Sequence, residues 1–117
     1  MMREIAQLHI GALPHTWSSR RGVDFVANLY RIVGKIGYIK MINRDGRALG
    51  VVSGIGPLIL TLAVEPAWQR KGVGKTLLSR LPQKLLVYTQ EETTPFYEKQ
   101  GFRRVAHIGK VVFLWRN

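Results

Sequence analysis

The segment from Leu58 to Gly74, LILTLAVEPAWQRKGVG, limits the fold more than any other part of the chain. Leu58 to Val64 is a nearly continuous apolar run, the pattern of a strand buried on both faces. Pro66 stops that strand, because proline has no N–H to give a ladder. Gly72 and Gly74 then open a short helix with Val73, Leu77, Leu78 and Leu81 on one face, closed by Pro82. Leu85 to Thr89 reads as another buried strand. Strand, glycine turn, helix and strand together predict a βαβ-like unit with two parallel strands.

The turn itself, QRKGVGKT at residues 69–76, ends in Gly-Lys-Thr. A nucleotide-binding P-loop would need glycine five residues before the last glycine, where this chain has Gln69. Arg70 and Lys71 fill positions where a phosphate-wrapping loop prefers small residues, and LLVYTQ supplies no aspartate for magnesium. A metal-free cradle keeps the same physics. N–H groups at a helix start are unpaired and point outward, and glycine lets the backbone approach an anion closely. Arg70, Lys71 and Lys75 add positive charge. A plain strand–helix connection, with glycine serving packing alone, fits this stretch equally well.

On either side of that unit the periodicity is clear. Residues 3–13 place Ile5, Leu8, Ala12 and Leu13 at helical spacing before Pro14. Residues 23–33 form a second amphipathic helix, with Val23, Val26, Ala27, Leu29, Tyr30 and Val33 on the side expected to be buried. Tyr38–Asn43 and Ala48–Ile55 read as a hairpin around Asn43-Arg44-Asp45-Gly46. Thr94 and Pro95 suit the cap and first position of a helix ending at Gly101. Val105–Ile108 and Val111–Trp115 close the chain as a hairpin. The predicted order is α-α-β-β-β-α-β-α-β-β, a mixed α/β arrangement in one domain over residues 1–117.

Composition narrows the function. The chain has 117 residues, 46% of them hydrophobic, and a formal net charge of +11. Such a field gathers anions and slows the approach of cations. Its basic residues are scattered, which favours a generally basic surface over a nucleic-acid tail. The absence of cysteine excludes disulfides, thiol catalysis and cysteine-zinc sites. The three histidines are not clustered, so no metal site is expected. The longest apolar stretch, Val51–Val64, is broken by Ser53, Gly54, Gly56 and Pro57 and is too short to span a bilayer. Glu4, Gln7 and His9 stand where a signal peptide would be apolar. A cytoplasmic protein without membrane partners is expected.

Three motifs in order carry a resemblance. They are Val64-Glu65-Pro66 at the end of the apolar strand, Gln-x-x-Gly-x-Gly at 69–74, and FYEKQGF at 96–102. In this spacing the sequence resembles the GNAT acyltransferases, over residues 38–117 and more weakly through the two N-terminal helices. The resemblance implies a mixed central sheet flanked by helices and acetyl transfer from acetyl-CoA to a primary amine within a ternary complex.

The resemblance also assigns residues. Arg70, Lys71, Gly72, Val73, Gly74 and Lys75, with Gln69 leading the motif, fall where the CoA pyrophosphate binds. Leu62, Ala63 and Val64 fall where strand backbone meets the pantetheine arm, near a bulge that turns an N–H toward the thioester oxygen. Tyr97 matches the tyrosine that protonates the leaving thiolate. For the general base, Glu65 is the first candidate, with Glu91, Glu92 or a bound water as alternatives. The loop with His15, Trp17, Arg20 and Arg21 stands where such enzymes receive the acceptor.

Two departures are visible. The family's first strand has no room ahead of the first helix, so a partner subunit could complete the sheet as a homodimer. TQEETT stands where the family often has asparagine. The acceptor is open: a small neutral amine, a protein amine near acidic residues, or a charged tRNA. Polyamines and aminoglycosides fit the basic surface poorly. Two other functions compete, a CoA-binding regulator without turnover and an RNA-binding module. The second needs aromatics interleaved with basic residues on one face, and Trp17 and Trp68 are far apart in sequence.

Overall fold

The computed structural model describes residues 2–117. Helices α1 (Met2–Ala12) and α2 (Val23–Ile36) precede strands β1 (Tyr38–Arg44), β2 (Arg47–Ile55) and β3 (Leu58–Val64). Helix α3 (Val73–Ser79), strand β4 (Leu85–Thr89), helix α4 (Thr94–Lys99) and strands β5 (Arg103–Ile108) and β6 (Val111–Arg116) follow. The order is the one the periodicity predicts. The strands form one six-stranded sheet in the order β1-β2-β3-β4-β6-β5. β3 and β4 are parallel, joined through α3, and every other neighbouring pair is antiparallel.

Two register shifts shape the sheet. Opposite the Ile42–Asn43 step the pairing runs Ile42↔Gly50 and then Asn43↔Ala48, so Leu49 is an extra residue. The bulge changes the facing of β2. Val52 and Leu49 pack with α3, whereas Val51 and Ala48 pack with α1 and α2. In β3 the pairing runs Ser53↔Thr61 and then Gly54↔Ile59, which leaves Leu60 as a second bulge.

The core lies in two layers. Leu77, Leu78 and Leu81 of the α3 region join Ile59, Val87, Leu114, Tyr97 and Phe102 on one side. On the other, Ile5, Ala6 and Leu8 of α1 and Val26, Ala27 and Tyr30 of α2 cover Ala48, Val51 and Ala63. Leu29 and Val33, expected in this stripe, are only half-buried and face a cleft instead. Their carbon surface lines that cleft, which the periodicity of a helix cannot tell from a core.

Buried polar groups tie the second layer together. His9 Nδ1 lies 2.8 Å from the Tyr30 hydroxyl, which donates to Thr61 Oγ1 at 2.9 Å. Thr61 shares a hydrogen bond with Ser53, and His9 Nε2 lies 3.2 Å from Ser18 Oγ. The chain links α1, α2, β3 and β2, and each buried polar atom in it has a partner, as burial requires. Arg116 plays the same part at the far end, donating to the carbonyls of Gln83, Gln100, Leu78 and Pro82.

Thr94 is not the cap expected for α4. It is already helical (φ −57°, ψ −37°), and its hydroxyl donates to the Glu91 carbonyl of the preceding turn. The turn Glu91–Thr93 runs straight into the helix, so no extended residue is left to act as a cap.

Two outcomes follow from this packing. A Cβ on Gly50 would lie 2.6 Å from Val73 Cγ1 and 3.1 Å from Leu77 Cδ1. Gly50→Ala should therefore lower stability by roughly 1–3 kcal/mol, read as a lower urea midpoint at unchanged slope. Burial pushes the His9 imidazole below its ordinary value of 6.5. The unfolded chain then takes up the proton first as pH falls below 6.5, so stability is present above that value and declines toward the folded pKa. His9→Gln should remove this component of the pH 7.5 to 5 slope, at most about 1.4 kcal/mol per pH unit, in paired thermal melts.

Candidate active site

The site begins where two strands part. β3 and β4 pair only at Leu58↔Leu86 and Ile59↔Val87. Beyond Ile59 the bulge at Leu60 intervenes, and the rest of β3 has no partner on its β4 side. A parallel ladder that stops this early leaves strand peptide groups facing open space. The Tyr88 hydroxyl reaches across the gap and donates to the Leu60 carbonyl at 3.1 Å.

The opening continues into a cleft of about 760 Å³. One wall comes from α1, α2 and the loop between them, with His9, His15 and Trp17 on it. The other wall is made by β4, its following turn and α4, including Gln90, Thr93 and Tyr97. Leu60, Thr61 and Leu62 of β3 line the floor. Ligands of open α/β sheets lie in such a crevice beyond the carboxyl ends of parallel strands.

Tyr97 lies in this cleft. Its ring is packed edge-on between Phe96 and Phe102, with centroids 5.1 and 5.4 Å away. It is 5% exposed, and its hydroxyl makes no hydrogen bond among the described residues. Burial, helped by nearby Tyr88, pushes the phenol well above its ordinary value of 10, so the group stays protonated at neutral pH. The ring is held by packing and the hydroxyl is left unengaged.

Glu65 stands elsewhere. It lines a smaller groove of about 330 Å³ with Glu4, Gln7 and Arg47, and is not among the residues of the large cleft. Its N–H donates to the Leu49 carbonyl at 2.8 Å. Glu91 is committed too, its carboxylate held by the Arg104 guanidinium at 2.7 Å and kept below the usual range by it. No Asp or Glu lines the cleft among the described residues.

The glycine loop has the form of a cradle. Arg70 (φ 64°) and Gly72 (φ 88°) both take left-handed backbone. The N–H groups of Arg70 to Lys75 make no backbone hydrogen bond, and the first helical one is Thr76 N–H to Gly72 O at 2.9 Å. The space where a Gly72 side chain would stand is open. Gly74 is packed instead, since a Cβ there would lie 3.0 Å from the Phe96 ring. Gln69 does not reach outward: its amide donates to the Val64 carbonyl at 3.1 Å and braces the loop on the strand end. Ala63 is buried under α1 and α2, so only its backbone is available to a ligand, while Leu62 reaches the cleft. Val64 packs toward α3 and Phe96.

Of the loop between α1 and α2, His15, Thr16 and Trp17 line the cleft, and Arg20 and Arg21 do not. Arg21 stacks on the Trp17 ring, 4.3 Å from its centroid. Sequence reading missed Leu60, Thr61, Tyr30 and Tyr88, whose roles come from a bulge and from contacts between distant segments. No group of three or more metal-ligating side chains and no helix long and apolar enough to cross a membrane occurs among the described residues.

Comparison with known proteins agrees with this geometry. The model of the acetyltransferase (GNAT) domain matches residues 23–104, well over half of the chain. No curated protein matches. Among solved structures, the PaiA N-acetyltransferase of Thermoplasma acidophilum, in complex with coenzyme A, superposes with a TM-score of 0.80 at 16% identity, covering 98% of this chain and 91% of that one. The ribosomal-protein-S18-alanine N-acetyltransferase of Escherichia coli gives 0.69 at 15% identity, covering 97% and 84%. A spermidine N-acetyltransferase of Vibrio cholerae gives 0.72 at 18%, covering 98% and 88%. At these identities the likeness concerns the fold. The family model, the parted strands and the glycine cradle agree, and the chain belongs to the GNAT family of acetyltransferases, enzymes that take their acetyl group from acetyl-CoA.

Proposed function

We propose that the chain transfers an acetyl group from acetyl-CoA to a primary amine, by direct attack of the amine on the thioester while both are bound. The observation that carries this reading is the gap between β3 and β4, which opens into the cleft that Tyr97 lines, with the free N–H groups of the glycine loop following the end of β3. The N–H groups of Arg70 to Lys75 suit the CoA pyrophosphate, with Arg70, Lys71 and Lys75 adding charge. The β3 backbone at Leu62, Ala63 and Val64 has no strand partner on its β4 side, where the Gln69 amide holds the Val64 carbonyl, and it suits the amide groups of the pantetheine arm, which can bond to its free groups as an added strand would.

The chemistry then needs three things. The amine must be held against the thioester carbon, which is a matter of positioning. The carbonyl oxygen gains charge as the C–N bond forms, and a peptide N–H freed at the Leu60 bulge is a suitable donor. The C–S bond then breaks, and sulfur must end with a proton. Tyr97 is the donor best suited to it. A phenol above 10 does not by itself give its proton readily to a thiolate, whose ordinary value is about 8.5. The nitrogen of the tetrahedral adduct is a much stronger acid than the phenol. Its proton can replace the one Tyr97 gives to sulfur, so nitrogen loses one proton, sulfur gains one, and Tyr97 is restored. This balance needs no carboxylate, in keeping with Glu65 lying in the other groove.

Calorimetry with acetyl-CoA tests the first half. The parent should bind. Gly72→Asp, which puts a side chain at φ 88° and a negative charge beside the phosphates, should bind at least about tenfold more weakly. A parent that does not bind acetyl-CoA would sink the reading. Tyr97→Phe should lower kcat by about 10²-fold or more with little change in the KM for acetyl-CoA. An unchanged kcat would remove Tyr97 from the mechanism.

A further inference from the structure

The cleft is unusual for this chain in one respect. Lys, Arg, Asp and Glu make up 21% of the sequence, yet among the described residues none of them lines the cleft. Its titratable side chains are His9 from α1, His15 from the loop, Tyr30 from α2, Tyr88 from β4 and Tyr97 from α4. Beside these, the wall from α1, α2 and their loop presents the carbon of Leu13, Pro14, Trp17, Leu29 and Val33 and the uncharged hydroxyls of Thr16 and Ser18. Trp17 leaves 63% of its surface exposed.

We propose that the acceptor is a monoamine with an apolar or aromatic body, bound as the free base. The proposal rests on the acetyl-transfer reading and names the substrate class of that same site. An ammonium ion entering the cleft would shed its water and find no counter-ion, and such burial of an unpaired charge is strongly unfavourable. The wall does not supply the charge in another form. His9 is driven toward its neutral state by burial, and the Tyr30 hydroxyl is pushed up to about 12. The overall +11 field adds to the bias against polycations. A neutral amine is also the form that attacks the thioester, so binding and reactivity select the same species.

Basicity then becomes a selector. At pH 7 a lysine-type amine, ordinary pKa about 10.4, is free base in roughly one molecule in 2,500. An α-amino group, at about 7.7–8.0, is free base in roughly one in ten. The difference of a few hundredfold in usable amine is partly offset by the greater nucleophilicity of the stronger base. Weakly basic α-amines on apolar bodies should therefore be the better acceptors at neutral pH.

The test measures thiol release from acetyl-CoA at pH 7 with four probes: phenylalanine amide, phenylethylamine, Nα-acetyl-lysine amide and spermidine. The kcat/KM for phenylalanine amide should exceed that for phenylethylamine by about tenfold or more, and the lysine and spermidine probes should be lowest. Between pH 6 and 9, kcat/KM for phenylethylamine should rise about tenfold per unit, following the free base. Leu29→Asp, which places a carboxylate on the wall, should raise the spermidine rate relative to phenylalanine amide. Calorimetric binding of acetyl-CoA is measured on the same preparation. Binding with spermidine or lysine as the best acceptor overturns the proposal and leaves acetyl transfer standing. A flat pH profile for phenylethylamine overturns it as well. Binding with no thiol release from any probe overturns it in favour of a CoA-binding regulator. No binding at all overturns the acetyl-transfer reading together with the proposal.

Discussion

The cleft of this molecule depends on a ladder that stops. β3 and β4 share two residue pairs and then separate, at the point where Leu60 adds a residue to β3. Parallel strands joined by a helix would normally continue to the ends of both strands, because each unpaired peptide group facing an apolar interior is costly. These strands can part because the gap opens into a cleft instead of a core. The groups left unpaired are then available to a ligand of matching hydrogen-bonding pattern, and acetyl-CoA carries amides and phosphates in series.

Holding the gap open requires rigid walls on both sides. On the α3 and α4 side, Gly74 lets Phe96 come close and Gly50 lets Val73 come close, so the helices sit tight on the strands they flank. On the α1 and α2 side the hydrogen-bonded series Ser18, His9, Tyr30, Thr61 and Ser53 fixes two helices to the middle of β3. That series is satisfied within itself, which gives this wall of the cleft its shape without giving it a charge. Positive charge stands instead on the glycine loop, at Arg70, Lys71 and Lys75, none of which is among the residues lining the cleft. The division suits a reaction in which one substrate is polyanionic and the other reacts only when neutral.

Much of this was legible in the chain order. The ten elements follow from periodicity and from proline and glycine punctuation, because each depends on neighbours within a few residues. The glycine loop was legible for the same reason: Gly72 must take positive φ, and the strand and helix around it are local patterns. The apolar stripe of α2 was legible too, but Leu29 and Val33 show its limit. Apolar spacing says that a side chain avoids water, and a cleft wall and a core satisfy it alike. Glu65 shows the other limit. One step past a strand end, its direction depends on how the chain turns into Pro66–Trp68, and that turn carries it into the groove beside Glu4.

By itself the sequence determined the order of elements, the parallel βαβ unit and the glycine turn, which local geometry and hydrophobic period specify. The family was legible from the likeness of three motifs in order. Only the tertiary structure decided where β3 breaks from β4, that His9, Tyr30 and Thr61 meet, and that among the described residues the Tyr97 hydroxyl has no partner and no Lys, Arg, Asp or Glu lines the cleft. Those features join residues that are far apart in the chain, and their pairing is set by how the helices pack on the sheet, a three-dimensional fit that no local pattern encodes.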